Sequence, residues 1–194
     1  MCRRPWDVPS GGPRIREEDE EEMKISRAWA MPSSATFTIK PIADLISRWV
    51  CGVSVDPFAG DNSPATIKND LNGDKPTQFH EDALSFLEKQ GSGVADTVIM
   101  DPPYSPRQIT ECYRGMGLKA TQFDTNRTHW KPERDQLDRI LKVGGIAVSF
   151  GWNSSGMGIK RGYEIEEILL VCHGGGHNDT ICVVERKLDA HRVD

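Results

Sequence analysis

Two apolar runs in this chain stop abruptly at an acid followed by proline. Val94-Ala95-Asp96-Thr97-Val98-Ile99-Met100 runs into Asp101-Pro102-Pro103-Tyr104, and Val53-Ser54-Val55 runs into Asp56-Pro57-Phe58-Ala59-Gly60. Proline cannot donate to a sheet ladder and fixes φ, so each run reads as a buried strand cut short at its carboxyl end. Each turn offers a carboxylate, free carbonyls and an aromatic ring there, and Gly60 lets backbone approach a ligand closely. The carboxyl ends of strands are where open α/β sheets bind ligands.

The rest of the chain supplies such a sheet. Pro41 suits a first helical turn, and Ile42, Leu45, Ile46 and Trp49 follow at helical spacing. Residues 65–72 read as a weak strand ending in an acid, and 77–80 as another. Ala83, Leu84, Phe86 and Leu87 give a helix face closed by Gly91 and Gly93. Helices are expected near 107–114 and over 131–142, the second opened by Pro132. Gly144-Gly145 then punctuates, and 146–150 is a strand. Two further strands, 165–171 and 180–186, flank a glycine-rich hairpin loop. The expected architecture is a mixed α/β sheet ending in an antiparallel pair.

Composition narrows the class. The chain has 194 residues, enough for one domain with a real core. We expect an arm over 1–30, a folded domain over 31–188 and a short tail over 189–194. The arm holds six consecutive acids, 17–22, which repel one another and bury nothing, so it reads as disordered or loosely helical. No apolar run is long enough to span a membrane, and the first residues lack a secretory apolar segment. Five scattered cysteines argue for a reducing compartment and against a disulfide framework. Cys172, His173 and His177 read as a loop rather than a metal site, and no metal is expected. Net charge is −5, unlike a bulk nucleic-acid coat. Residues 105–142 are nonetheless basic, with eight Lys or Arg against five acids, and can track phosphates or form an ordinary solvated surface.

The two acid-proline turns, in this order, resemble those of the S-adenosylmethionine-dependent amino-methyltransferases of DNA, and DPPY is most typical of the N6-adenine enzymes. The likeness covers roughly residues 36–187, and the tail and the lack of a separate target-recognition domain resemble small phage-encoded members. It implies a Rossmann-like sheet of seven strands with the last antiparallel, S-adenosylmethionine as cofactor, DNA as substrate, and a cytoplasmic setting in a bacterial or phage-infected cell. It also implies roles. Phe37 and Lys40 lie in the segment that approaches the cofactor, Lys40 toward its carboxylate. Pro57, Phe58, Ala59 and Gly60 pack against its methionine part, and Asp56 holds its ammonium group directly or through water. Asp70 accepts its ribose hydroxyls, and Asp82 its adenine amino group. Asp82 reads equally well as the cap of the helix that follows, Asp70 as a turn cap, Phe58 as a core residue and Lys40 as a surface charge. Asp101 and the Pro102 carbonyl would accept the two amino hydrogens of a flipped base, with Pro103 and Tyr104 completing the pocket and Tyr104 stacking on the ring.

Two departures stand out. Four residues separate Gly60 from Ala65, where relatives place a helix, so that helix is expected to be reduced or missing. The only candidate substrate insert is 105–130. Arg107, Arg114, Lys119, Arg127, Trp130 and Lys131 there or just beyond it, and Trp152 after the fifth strand of the relatives' sheet, are the candidate nucleic-acid contacts. Short or loose sequence specificity follows, or help from a homodimer partner. N4-cytosine, RNA and protein-amide acceptors remain open alternatives. So does a non-catalytic interaction protein whose acidic arm mimics nucleic acid.

Overall fold

The computed structural model describes residues 23–125 and 130–189. In chain order the elements are β1 (Lys24–Trp29), α1 (Lys40–Trp49), β2 (Ser54–Asp56), β3 (Ile67–Lys68), α2 (Ala83–Glu88), β4 (Ala95–Met100), α3 (Pro106–Gly115), α4 (Gln122–Thr125), α5 (Lys131–Ile140), β5 (Leu141–Gly151), β6 (Tyr163–Cys172) and β7 (Thr180–Lys187), with short 3-10 turns at Thr36–Thr38 and Ile159–Arg161. The seven strands form one sheet in the order β1-β6-β7-β5-β4-β2-β3. All neighbours are parallel except β7, which runs antiparallel to both β5 and β6. This is the mixed α/β architecture expected, with an antiparallel last strand. The chain winds outward in both directions from the β2–β4 pair, so a crevice opens at their carboxyl ends.

The pleat divides the core into two layers. On one face α1 lays Ile42, Leu45, Ile46 and Trp49 over Ile99, Ile146, Val148 and Val184. Pro41 opens this helix without an unmet N–H. On the other face α2 and α5 bury Phe86, Leu87, Leu137 and Ile140 against Val98, Met100 and Ala147. Successive residues of β4 and β5 thus serve opposite layers, as period-2 geometry requires.

Four expectations need correction. The arm was expected to run to residue 30, but Lys24–Trp29 is an edge strand parallel to β6. Lys24 explains part of this, since its ammonium lies 3.1 Å from the buried Glu167 carboxylate. Residues 1–22 lie outside the described part, as do 190–194 of the expected tail. The strand expected at 77–80 is a single parallel bridge between Phe79 and Asn69. Its Thr, Gln and His side chains bond locally instead, Gln78 to the Lys68 N–H and the Thr66 carbonyl. Gly144-Gly145 lies inside β5 rather than before it, with Gly144 at φ 76° and its carbonyl accepting from Arg186. Finally, Cys51 is disulfide-bonded, while Cys112, Cys172 and Cys182 are free thiols. Scattered spacing carries no information about which side chains a fold brings together.

The helix expected to be reduced or missing after β2 is absent. Residues 57–66 pass from β2 to β3 by turns alone. Ser54 and Thr66 replace helix packing with a reciprocal clamp: each backbone N–H donates to the other's hydroxyl at 2.9 Å.

Glu167 joins three elements. It accepts from the Trp49 indole and the Arg48 guanidinium, both at 2.9 Å, and pairs with Lys24. Burial pushes its pKa upward, but the bonds from Trp49, Lys24 and Arg48 together hold it below the usual value. We expect Glu167→Gln to keep the Trp49 bond and lose the ionic partners. Because Lys24 and Arg48 are partly solvated, the cost should be about 1 kcal/mol, read as a lower urea midpoint with an unchanged slope.

Candidate active site at the strand carboxyl ends

A cavity of about 820 Å³ occupies the crevice, lined from the 32–39 segment, both acid-proline turns, the ends of β3 and β6, α3 and Trp130. Its volume falls within the range of about 300–1,000 Å³ usual for small-ligand sites. The two turns singled out by sequence therefore share one chamber.

The β2 turn is built by its own acid. Asp56 is fully buried, and its Oδ1 accepts from the Phe58 N–H at 2.9 Å while Oδ2 accepts from the Ser63 hydroxyl at 2.6 Å. Burial pushes its pKa up to about 7, the Asp101 and Asp70 charges add to the rise, and the Ser63 and Phe58 donors oppose it. Asp56 does not line the cavity; it shapes the loop on which Pro57, Phe58, Ala59 and Gly60 do. Gly60 has φ 55° and donates its N–H to Asp70 Oδ2 at 3.0 Å. A Cβ there would meet no protein atom within 4 Å, so the turn stays open to a ligand on that side.

Asp70 lines the cavity, and its Oδ1 also accepts from the Asn72 N–H at 2.8 Å. Its neighbour Asn69 is wholly buried and was not among the expected site residues. Its amide donates to the Pro57 and Glu81 carbonyls and accepts from the Glu81 N–H. With the crossover helix missing, this one side chain holds the loops after β2, β3 and residue 79 in register. Asp82 lines the cavity and caps α2, accepting from the Leu84 N–H at 3.1 Å.

The β4 turn carries the acceptor side. Asp101 is partly buried, and burial raises its pKa, opposed by hydrogen bonds from the Thr36 and Tyr104 hydroxyls. Thr36 was not anticipated; it sits in the 3-10 turn beside Phe37, whose ring packs edge-on to Phe150 at 5.6 Å. The Tyr104 N–H donates to Gln108 Oε1 at 2.6 Å, and its ring meets Trp152 edge-on at 5.8 Å. Burial holds the Tyr104 phenol well above its usual pKa, so it stays a proton donor toward Asp101.

The expected nucleic-acid contacts divide. Trp130 and Trp152 line the cavity. Arg107 and Lys131 lie on exposed helix faces and pair with Glu111 and Asp135 four residues on, both at 2.8 Å. Arg114 and Lys119 are exposed and outside the lining; Arg127 lies outside the described residues. Lys40 is exposed and paired with Asp44 at 3.0 Å, away from the cavity. Among the described lining residues the charged groups are mostly acidic, with Lys75 the one Lys or Arg, and it pairs with Asp61 at 2.7 Å. His173 bonds to the Ala30 carbonyl and the Thr180 hydroxyl.

No family model and no curated protein matches the sequence. Among solved structures, the chain is similar to NSun6 from Pyrococcus horikoshii with SFG (15% identity, 71% of this chain and 48% of that one, TM-score 0.47). It is also similar to PH0851 (15% identity, 80% and 46%, TM-score 0.48) and to TrmN from Thermus thermophilus (16% identity, 77% and 48%, TM-score 0.48). The chain spans about half the length of these structures.

Proposed function

We propose that this chain is an S-adenosylmethionine-dependent methyltransferase acting on the exocyclic N6 amino group of adenine in DNA. The observation that carries the reading is the convergence of Asp101-Pro102-Pro103-Tyr104 and Asp56-Pro57-Phe58-Ala59-Gly60 on one cavity, at the strand ends where the winding reverses. The residues present suit the cofactor. A largely acidic lining favours a sulfonium cation, an open Gly60 turn admits a close backbone approach, and the Asp70 carboxylate faces the chamber beside it.

S-adenosylmethionine would supply an electrophilic methyl group on a positively charged sulfur. Phe58 and the Gly60 backbone would hold its methionine part, and Asp70 and Asp82 its ribose and adenine. Asp56 would act one step back, by holding the loop. Asp101 and the Pro102 carbonyl would accept the two amino hydrogens of the base. That withdraws the nitrogen lone pair from conjugation and aims it across the cavity, so positioning and electrostatics supply most of the rate. As the N–CH3 bond forms, the S–CH3 bond would break with its electron pair staying on sulfur, releasing neutral S-adenosylhomocysteine, and the amino proton would then pass to the Asp101 carboxylate and on to solvent. Tyr104 and Trp152 offer aromatic surface to a base flipped out of its stack, each base–ring contact being worth about 1–3 kcal/mol.

The test is transfer of labelled methyl from S-adenosylmethionine to unmethylated DNA, followed by nucleoside analysis. N6-methyladenine is the expected product. Label on cytosine N4, on RNA or on protein would replace the acceptor, and cofactor binding with no transfer to any of these would reject the enzyme reading.

A further inference from the structure

We infer that Trp130 is a positioning residue that locks the acceptor turn onto the cofactor turn, rather than a surface that meets nucleic acid. The inference rests on the methyl-transfer reading of the cavity and adds a residue to it.

Three observations converge on Trp130. Its backbone is left-handed, φ 45° and ψ 35°, and it is the one non-glycine residue at positive φ among those described. A bulky side chain avoids this region unless the surroundings impose it, and such outliers concentrate where geometry serves a site. Its indole N–H donates to the Pro103 carbonyl at 3.3 Å. Its ring meets Phe58 edge-on, with centroids 5.0 Å apart. One side chain thus touches both acid-proline turns, which are 45 residues apart in sequence, and does so from the first residue before α5.

The chemistry follows from the two proline carbonyls. The β4 ladder ends at Met100, so neither carbonyl has a ladder partner. Trp130 takes the Pro103 carbonyl, whereas none of the described hydrogen bonds is donated to the Pro102 carbonyl, and Pro102 lines the cavity. Fixing one oxygen sets the rotation of the turn, and with it the direction of the other oxygen and of the Asp101 carboxylate. The left-handed residue is what lets the ring reach back into the cavity while Lys131 and Pro132 start the helix outward. A base is then presented to two acceptors whose spacing is held from behind.

The experiment compares wild type, Trp130→Phe and Trp130→His by steady-state transfer to a duplex DNA oligonucleotide with unmethylated adenines. S-adenosylhomocysteine and DNA affinities are measured on the same preparations. Trp130→Phe keeps a ring against Phe58 and loses the N–H. Misplacement of reacting groups is costly, so its kcat should fall about tenfold to a hundredfold, with KM, DNA affinity and S-adenosylhomocysteine affinity within about twofold of wild type. Trp130→His retains an N–H at the ε position and should recover part of the loss, which separates the hydrogen bond from general damage to folding. A rise in KM or loss of DNA affinity at unchanged kcat would make Trp130 an acceptor contact and overturn the inference. So would unchanged kinetics in both variants, or equal losses in both. If wild type itself transfers no methyl group to any acceptor, the underlying reading fails, and that result needs no variant to recognise.

Discussion

Replacing Asp101 by Ala should abolish methyl transfer, lowering kcat by about a thousandfold or more, while binding of S-adenosylhomocysteine is kept. Losing one preorganised electrostatic partner at a reacting centre costs about a hundredfold to a thousandfold; Asp101 anchors two hydroxyls, and in the proposed reaction it would also be the charged partner of the base. Without it, Thr36 and Tyr104 lose their acceptor, so the ring proposed to stack on the base would also be released. Asp101→Asn should fall between wild type and Ala, because an amide oxygen accepts a hydrogen without the charge. The pH profile checks the same role. Burial raises the Asp101 pKa, and only the ionised form accepts both from its hydroxyl donors and from the base. Activity should therefore rise with pH through a point above the ordinary carboxylate range. A variant with measurable binding and undiminished transfer would remove Asp101 from the chemistry.

The second large effect concerns stability. Asp56 titrates near 7 in the folded chain, against about 3.9 for an unfolded aspartate. The folded state therefore holds a proton that the unfolded state has already released between about pH 4 and 7. The associated stability is complete below about pH 4 and is lost as pH rises through about 7. At about 1.4 kcal/mol per unit of difference, the loss approaches roughly 4 kcal/mol. Asp56→Asn should flatten this dependence. Its amide donates where the protonated acid would, and the Ser63 hydroxyl can turn to accept, while the Phe58 N–H keeps its oxygen. Urea unfolding at pH 4 and pH 8 measures it: the variant should be the more stable protein at pH 8 by a few kcal/mol, with little difference at pH 4. Equal pH slopes in the two proteins would place the Asp56 titration elsewhere. Asp101 contributes to the raised value through its charge, so Asp101→Ala should also move the Asp56 transition toward lower pH. The two predictions are thus coupled through one pair of acids, the buried Asp56 and the partly buried Asp101.

These acids show how far local pattern reaches. The acid-proline turns were legible because proline ends a strand whatever surrounds it, and an apolar run before it must be buried. Helix α1 was legible for the same kind of reason: Ile42, Leu45, Ile46 and Trp49 form one face at any position in a fold. Strand β1 was not. Lys24-Ile25-Ser26-Arg27-Ala28-Trp29 follows six acids, alternates weakly and leaves Ile25 and Trp29 largely exposed. Its place is set by pairing along its length with β6, which begins its contact at Glu167, 143 positions away from Lys24. Asn69 and Thr36 were passed over because a buried amide and a surface hydroxyl look alike in sequence.

By itself, the sequence determined the carboxyl ends of β2 and β4, the order of the two turns, the reduced or missing helix between Gly60 and Ala65, and the helix faces. All of these rest on short-range constraints of sterics and periodicity. Tertiary structure alone decided which carboxylates face the cavity and which are sealed behind it. Asp56 and Asp70 are both acids at strand ends, yet one is enclosed by Ser63 and Phe58 and the other opens to the chamber. It also decided that Trp130 reaches both turns and that Lys40, Arg107 and Lys131 spend their charge on helix neighbours. Such outcomes depend on distances between residues far apart in the chain, and those distances exist only once the sheet has closed the crevice.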